Sequence, residues 1–273
     1  MRDDDPVTGR RFLTQSAYAD DRHLRSRAAI YAYAEARGDP RWRTDPVPWD
    51  GTQVVADIGC GNGFDLRQLV PERRCRHAIG VDLSAGMLHT LADLRGSGIL
   101  SLVQADAQQL PLGQDTVDVA LAMHMLYHVP DRPAAVAELR RITRPGGTVL
   151  ASTNSAQTLT EIYDLLDAAV SRQLGRPVGA RPVLSFTTES GAGLLGGQFG
   201  EVRLLQYDVP LAIPGPEPVV AYLDSVREPM VREAGGGLDF DLVLAEVADG
   251  VDQVVRAEGR FRTASRGGVF VCR

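Results

Sequence analysis

The segment Asp57-Ile58-Gly59-Cys60-Gly61-Asn62-Gly63 constrains this chain more than any other. It continues an apolar run, Val54-Val55-Ala56, and precedes Phe64, Leu66 and Leu69. A short apolar run that ends in a glycine turn reads as a buried strand, and the residues beyond the turn read as a helix. Glycines let the backbone approach a ligand closely, and the first turn of the helix offers unpaired N–H groups. Many such turns merely join a strand to a helix, so the neighbouring segments decide the reading.

Two more strand ends carry carboxylates. His77–Asp82 is a second strand, and Asp82 stands 19 residues beyond Gly63. An acid there accepts hydrogen bonds from a ribose diol. It also suits the start of a helix that Ser84 would cap, through Met87, Leu88 and Leu91. A third strand, Ile99–Val103, leads to Asp106 in Gln104-Ala105-Asp106-Ala107, a place where an acid is commonly a plain turn residue. Val117–Ala122 is a fourth strand. Asp131 and Pro133 open a helix with Ala135, Leu139 and Ile142 on one face; Pro145-Gly146-Gly147 ends it, and Thr148–Ser152 is a fifth strand. This rhythm specifies a parallel sheet with helices on both faces. Ligands bind at the carboxyl edge of such a sheet.

The flanks are less regular. Residues 1–10 are polar and expected to fray, Thr14–Arg37 reads as one or two helices, and Gly38–Gly51 is a proline-bearing connector. Beyond the fifth strand, helices are expected over Thr158–Gln173, from Thr188, over Pro216–Val226 and over Phe240–Arg256. Gly175–Pro182 is a loop, and strands are expected over Glu201–Val209 and Gly268–Cys272. One unit over 1–273 results: a helical lid and connector (1–49), a cofactor-binding core (50–153), a substrate cap (154–200), and a completion of the sheet (201–273).

Composition narrows the function. The formal net charge of −6 argues against nucleic acid as partner. Cys60, Cys75 and Cys272 match no zinc spacing and cannot all pair within the chain, which suits a cytoplasmic compartment. No signal-peptide core and no membrane-spanning stretch is apparent, and no metal cluster, so no metal dependence is expected. A homo-oligomer is left open.

The three segments Asp57–Gly63, Gly80-Val81-Asp82-Leu83-Ser84-Ala85-Gly86-Met87-Leu88 and Ala105-Asp106-Ala107-Gln108-Gln109-Leu110-Pro111-Leu112 together resemble the class I S-adenosylmethionine-dependent methyltransferases. The small-molecule group that includes the ubiquinone and menaquinone biosynthesis methyltransferases is nearest in style. Val117-Asp118-Val119-Ala120, Met125-Leu126-Tyr127-His128-Val129-Pro130-Asp131 and Arg144-Pro145-Gly146-Gly147 continue the resemblance in family order, from about Val54 to Ser152. It implies a Rossmann-like, seven-stranded, mostly parallel sheet with an antiparallel last strand. It implies that Gly59, Cys60 and Gly61 contact the methionine part of S-adenosylmethionine while Asp57 accepts from its amino group. Asp82 would hold the ribose, with Leu83 and Met87 on the adenine side. Asp106 and the Ala107 N–H would meet the adenine amine, and Met123 and His124 would line the pocket. The product would be S-adenosylhomocysteine and the acceptor a small molecule. Tyr127 stands where many relatives carry a histidine, and Asn62 where many carry Thr or Ser.

In-line methyl transfer draws its rate from alignment and water exclusion. A base is needed only for a protonated nucleophile, and His128 is the candidate, since histidine exchanges protons near neutral pH. A packed or helix-capping histidine is the plainer alternative. Tyr18 is expected on a lid near the methyl group, against the alternative of a helix simply packed on the sheet. Three rival functions remain. One is a cofactor-binding module or rearrangement catalyst on the same fold. Another is a nicotinamide-dependent oxidoreductase, disfavoured by the G-x-G-x-G spacing. The third is a nucleic-acid amino-methylating enzyme, disfavoured by Met123-His124-Met125-Leu126 after the fourth strand.

Overall fold

A computed structural model describes residues 9–35, 40–179, 184–227 and 237–273. The expected fraying of residues 1–8, the end of the Thr14–Arg37 helix, the start of the 38–51 connector and the end of the Gly175–Pro182 loop lie outside the described residues.

Seven strands form one sheet: β1 (Val54–Ile58), β2 (His77–Asp82), β3 (Leu100–Gln104), β4 (Val117–Met123), β5 (Thr143–Asn154), β6 (Val202–Ile213) and β7 (Phe261–Cys272). Their order is β3-β2-β1-β4-β5-β7-β6. The first five are parallel, and β7 runs antiparallel to both β5 and β6. This is the Rossmann-like α/β fold that the sequence implied. Strand order reverses between β1 and β4, so a crevice opens at their carboxyl ends. β1 is buried along nearly its whole length, as a central parallel strand covered on both faces must be.

The helices follow from capping and periodicity. In the first half they are α1 (Arg10–Phe12), α2 (Arg22–Ala29), α3 (Leu66–Leu69), α4 (Ala85–His89) and α5 (Arg132–Ile142). The second half holds α6 (Thr160–Leu174), α7 (Gly191–Leu195), α8 (Glu217–Asp224) and α9 (Phe240–Glu258). Ser84 caps α4 and Asp131 caps α5, as the sequence indicated. Alternate residues of the strands feed opposite faces of the sheet. Ala56, Ile58, Ala120, Ala122 and Phe270 pack with α5, Phe186, Leu195 and Phe199. Val55, Val119, Leu121, Val269 and Val271 pack with α3 and α4. A third cluster gathers Ile30, α6, α8, α9 and the far ends of β6 and β7.

Several boundaries differ from the sequence reading. α5 ends at Ile142, before Pro145, and Arg144–Gly147 loop out as the β4–β5 register moves from Val117↔Thr143 to Val119↔Thr148. β6 and β7 pair over twelve residues each, from Val202↔Cys272 to Ile213↔Phe261. Their far halves carry Asp208, Arg262 and Arg266, and β7 buries the polar Thr263 and Ser265 there, so they lack the apolar run of a central strand. The helix expected from Thr188 begins at Gly191, after a turn closed by the Gly191 N–H on the Thr187 carbonyl at 2.8 Å. The Thr14–Arg37 helix is broken. A π turn over Leu13–Ala17 precedes α2, a 3-10 turn over Ile30–Tyr33 follows it, and Ala34 bridges to Leu211. The 154–200 excursion divides: α6 joins the third cluster, whereas Phe186, Leu195 and Phe199 fill the face of the sheet. Among the described residues, no helix is long and apolar enough to cross a membrane.

Candidate active site

A cavity of about 1100 Å³ opens over the carboxyl ends of β1, β2 and β4. Typical ligand pockets measure roughly 300–1,000 Å³, so this one has room for two small molecules. The sheet supplies its floor, and the N-terminal segment with parts of β5, β6, β7 and α8 supplies its roof.

The floor is acidic. Asp57 is 2% exposed, and among the described residues no protein donor hydrogen-bonds its carboxylate. Burial and the nearby Asp65 hold its pKa well above the carboxylate range; Arg43 opposes this and Asp82 adds to it. Asp65, at the start of α3, is paired by Arg43 Nη2 at 2.8 and 3.0 Å. The Arg43 guanidinium also lies 4.5 Å from the Phe64 ring centroid. Gly59 holds φ +68° directly against Met125, where a Cβ would stand 2.7 Å from the Met125 Cβ, so both conformation and space require glycine.

Asp82 braces the turn. Its Oδ2 accepts from the Gly61 N–H and its Oδ1 from the Ser84 N–H, both at 2.8 Å. The two readings of Asp82 therefore coexist: it organises the helix start and still has lone pairs free for a diol. Burial raises its pKa, against those backbone donors. Asp106 Oδ1 accepts from the backbone and side-chain amides of Gln108, both at 2.9 Å, while the residue lines the cavity beside Ala107. Arg141 and Glu138 clamp the next stretch. Arg141 donates to the Leu110 and Leu112 carbonyls, and Glu138 accepts from the Leu110 N–H.

The roof is aromatic and closes through a histidine. Tyr18 Oη lies 2.7 Å from His128 Nε2, with the two rings edge-on. Burial raises the Tyr18 pKa, so the phenol is neutral. The Ser84 hydroxyl donates to the Tyr18 carbonyl at 2.7 Å, tying the segment to the cap of α4. Gly86 admits this docking, since a Cβ there would collide with the Ala19 carbonyl oxygen. Tyr31, Tyr127, Tyr207 and Tyr222 also line the cavity, and burial raises the pKa of each.

The structure gathers nearly every residue singled out by sequence: Asp57, Gly59, Cys60, Gly61, Asp82, Leu83, Asp106, Ala107, Met123, His124, His128 and Tyr18 all line the one cavity. Met87 is the exception. It is fully buried under α4, bound through its N–H to Ser84 Oγ, and does not line the cavity, so an adenine contact from its side chain is not what this geometry provides. His124 adopts φ +54°, with its N–H bound to the Ser152 carbonyl and hydroxyl. Burial, then Arg43, lowers its pKa to about 3, which leaves it neutral and unsuited to hold a proton near pH 7. Burial likewise pushes the Cys60 thiol up, consistent with a packed rather than reactive sulfur. Arg43, Asp65, Gln108, Asn154 and Arg27 also line the site and were not anticipated. Asp65 had a usable signal, two residues beyond the last glycine; Arg43, inside a proline-bearing connector, had none.

Residues 56–151 match the family model of a methyltransferase domain. The malonyl-[acyl-carrier protein] O-methyltransferase of Serratia marcescens is 35% identical over 114 residues, covering 42% of this chain and 43% of that protein. The ubiquinone biosynthesis O-methyltransferase of Methylococcus capsulatus is 39% identical over 102 residues, 36% of this chain and 42% of that one. The chain thus spans under half the length of these curated relatives. Among solved structures, the phosphoethanolamine N-methyltransferase 2 of Haemonchus contortus, in complex with phosphomonomethylethanolamine and S-adenosylhomocysteine, aligns with a TM-score of 0.57 at 18% identity, over 96% of this chain and 60% of that one. The [4+2]-cyclase SpnF aligns with a TM-score of 0.55 at 16% identity, over 93% of each chain. At these identities the structural likeness concerns the fold.

Proposed function

We propose that this chain, whose residues 56–151 match the family model of a methyltransferase domain, transfers the methyl group of S-adenosylmethionine to a small molecule in the cytoplasm. The observation that carries the reading is Asp57: a buried carboxylate that meets no protein donor among the described residues, at the base of a cavity. Burying an acid without a partner costs free energy, and a cationic ligand amine would offset that cost. Asp82 and Asp106 lie at the neighbouring strand ends, in the right order for ribose and adenine. That one Rossmann-like neighbour was solved with S-adenosylhomocysteine supports the assignment.

S-adenosylmethionine, when bound, supplies a methyl group on a cationic sulfur that leaves as a neutral thioether. The chain's residues do the remaining work. Asp57 and the glycine turn would orient the methionine end. The roof would exclude water, so the acceptor alone competes for the methyl group. His128 would take a proton from a hydroxyl or acidic-carbon acceptor, and Tyr18, neutral and hydrogen-bonded to Nε2, would hold the imidazole or pass the proton on. A neutral amine acceptor would need neither step.

Titration calorimetry with S-adenosylmethionine and S-adenosylhomocysteine tests the reading. About micromolar affinity for both is expected, the scale of ordinary enzyme–substrate binding; binding of neither removes the cofactor assignment. Turnover of labelled donor on a panel of acceptors then separates transfer from the alternative, a cofactor-binding or rearranging catalyst, because the fold is shared with a [4+2]-cyclase.

A further inference from the structure

The charges around the cavity are not evenly placed. Four carboxylates, Asp57, Asp65, Asp82 and Asp106, belong to the floor, where Asp65 neutralises Arg43. The roof holds two arginines, Arg10 on α1 and Arg27 on α2; Arg10 is exposed, whereas Arg27 is half-buried. A guanidinium has five N–H donors. Among the described residues, the one protein acceptor that Arg27 reaches is the Ser225 carbonyl, bound by Nη1 at 3.3 Å, a long contact. Its Nη2 is enclosed by protein and meets no acceptor among the described residues. Among the described residues no carboxylate forms an ion pair with it. Its surroundings are aromatic: the guanidinium stands 5.2 Å from the Tyr18 ring centroid, and its field also reaches Tyr31, Tyr127 and Tyr222. Burial keeps these phenols neutral, so none supplies the missing negative charge.

We propose that Arg27 is the anion-binding residue of the acceptor subsite, and that the acceptor is an acid: an aromatic or otherwise apolar body bearing a carboxylate that pairs with this guanidinium. This rests on the methyltransferase reading, since it assigns the floor to the cofactor and the roof to the acceptor. The chemistry is that of a cation held in an apolar setting with its hydrogen-bonding capacity largely unused. Such groups are paired when the site is complete. The edge of the guanidinium that borders the cavity can donate a charge-assisted hydrogen bond to a carboxylate oxygen. The Tyr18 ring lies 5.2 Å from the guanidinium, and Tyr18 itself touches His128. A carboxylate on Arg27 would therefore anchor the acceptor within reach of the Tyr18–His128 pair. The acidic floor repels the same anion, which fixes the orientation in which the acceptor enters.

The test uses matched acids and amides: benzoate with benzamide, 2-naphthoate with 2-naphthamide, and decanoate with decanamide. Each is titrated into the protein with and without saturating S-adenosylhomocysteine. The acid of at least one pair is expected to bind about tenfold more tightly than its amide, the scale of a charge-assisted hydrogen bond. Arg27→Gln should abolish that preference, and Arg27→Lys should keep part of it, while both variants retain the wild-type affinity for S-adenosylhomocysteine and a cooperative melting transition. Equal binding of acid and amide in every pair, including no binding of either, overturns the proposal. So does an acid preference that survives Arg27→Gln. Failure of S-adenosylhomocysteine to bind the wild-type protein is a separate result and counts against the cofactor reading, whereas the acid–amide comparison without it still judges Arg27.

Discussion

The floor and the roof of the cavity are built from different chemistry and from different kinds of sequence. The floor stands on consecutive parallel strand ends between Asp57 and Asp106, so residues close in sequence are close in space, and its side chains are acids, of which Asp82 and Asp106 are braced by backbone amides. The roof joins residues more than a hundred positions apart, such as Tyr18 and His128, and its side chains are tyrosines around Arg27, with Arg10 beside them. A rigid floor suits a cofactor common to many enzymes. A roof assembled from distant pieces leaves the acceptor open to change without disturbing the cofactor site.

If that division holds, substitutions in the two regions separate cleanly. The largest effect is expected from His128→Asn in the roof. With a hydroxyl acceptor, kcat should fall by about 10²–10⁴-fold while the affinity for S-adenosylhomocysteine stays within error. Single-turnover kinetics would read it, and an unchanged rate would return His128 to a packing role.

Arg43→Ala comes next and probes the floor. It strands Asp65, 6% exposed at its side chain, next to the already unpartnered Asp57. Breaking a buried pair in this way costs about 3–5 kcal/mol, measurable by urea denaturation. A loss below about 1 kcal/mol, the range of an exposed pair, would mean that water reaches Asp65 easily.

Asp57→Asn sharpens the contrast by moving two quantities in opposite directions. Binding of S-adenosylmethionine should weaken by about 1–3 kcal/mol, the scale for losing a polar partner. The ligand-free protein should become more stable at neutral pH. The sign follows from the raised pKa: the folded state holds its proton to higher pH than the unfolded chain, so wild-type stability falls as pH climbs above the ordinary carboxylate range. The variant should lack that decline. Melting curves across pH would show whether the two lines converge at low pH, as this requires.

The smallest effect is expected at Asp93→Ala. The Arg67–Asp93 pair lies beside the floor but outside it, with side chains 39% and 59% exposed. Such solvent-screened pairs contribute little to stability. A larger loss, or a change in cofactor affinity, would extend the floor beyond the cavity.

The same contrast governs what could be read from the sequence. The five parallel strands, the glycine turn and the three acids were legible because each is announced by a local run: apolar residues, then glycine or aspartate. Ser84 and Asp131 were legible as caps for the same reason. Tyr18 and His128 each drew notice singly, but their contact, across 110 positions, has no spacing signature. Arg43 met Asp65 through tertiary packing alone. Met87 fitted the family pattern, yet the turn of α4 buries it behind the cavity wall. The far halves of β6 and β7 escaped because they pack partly against helices and partly against solvent, which removes both the continuous and the alternating apolar pattern.

The placement of β7 has a consequence for how the molecule assembles. β6 precedes it by some fifty residues, yet β6 has no other sheet neighbour apart from the single bridge at Ala34, and β7 is what joins it to β5. During synthesis the parallel half can pair as soon as residue 154 has emerged. β6 must wait, with both edges open, for residues 261–272. An unpaired strand of this length invites pairing with another chain, and closing a long loop late slows folding. A chain stalled or cut between α9 and β7 would therefore be prone to aggregate even though its whole parallel half was already in place.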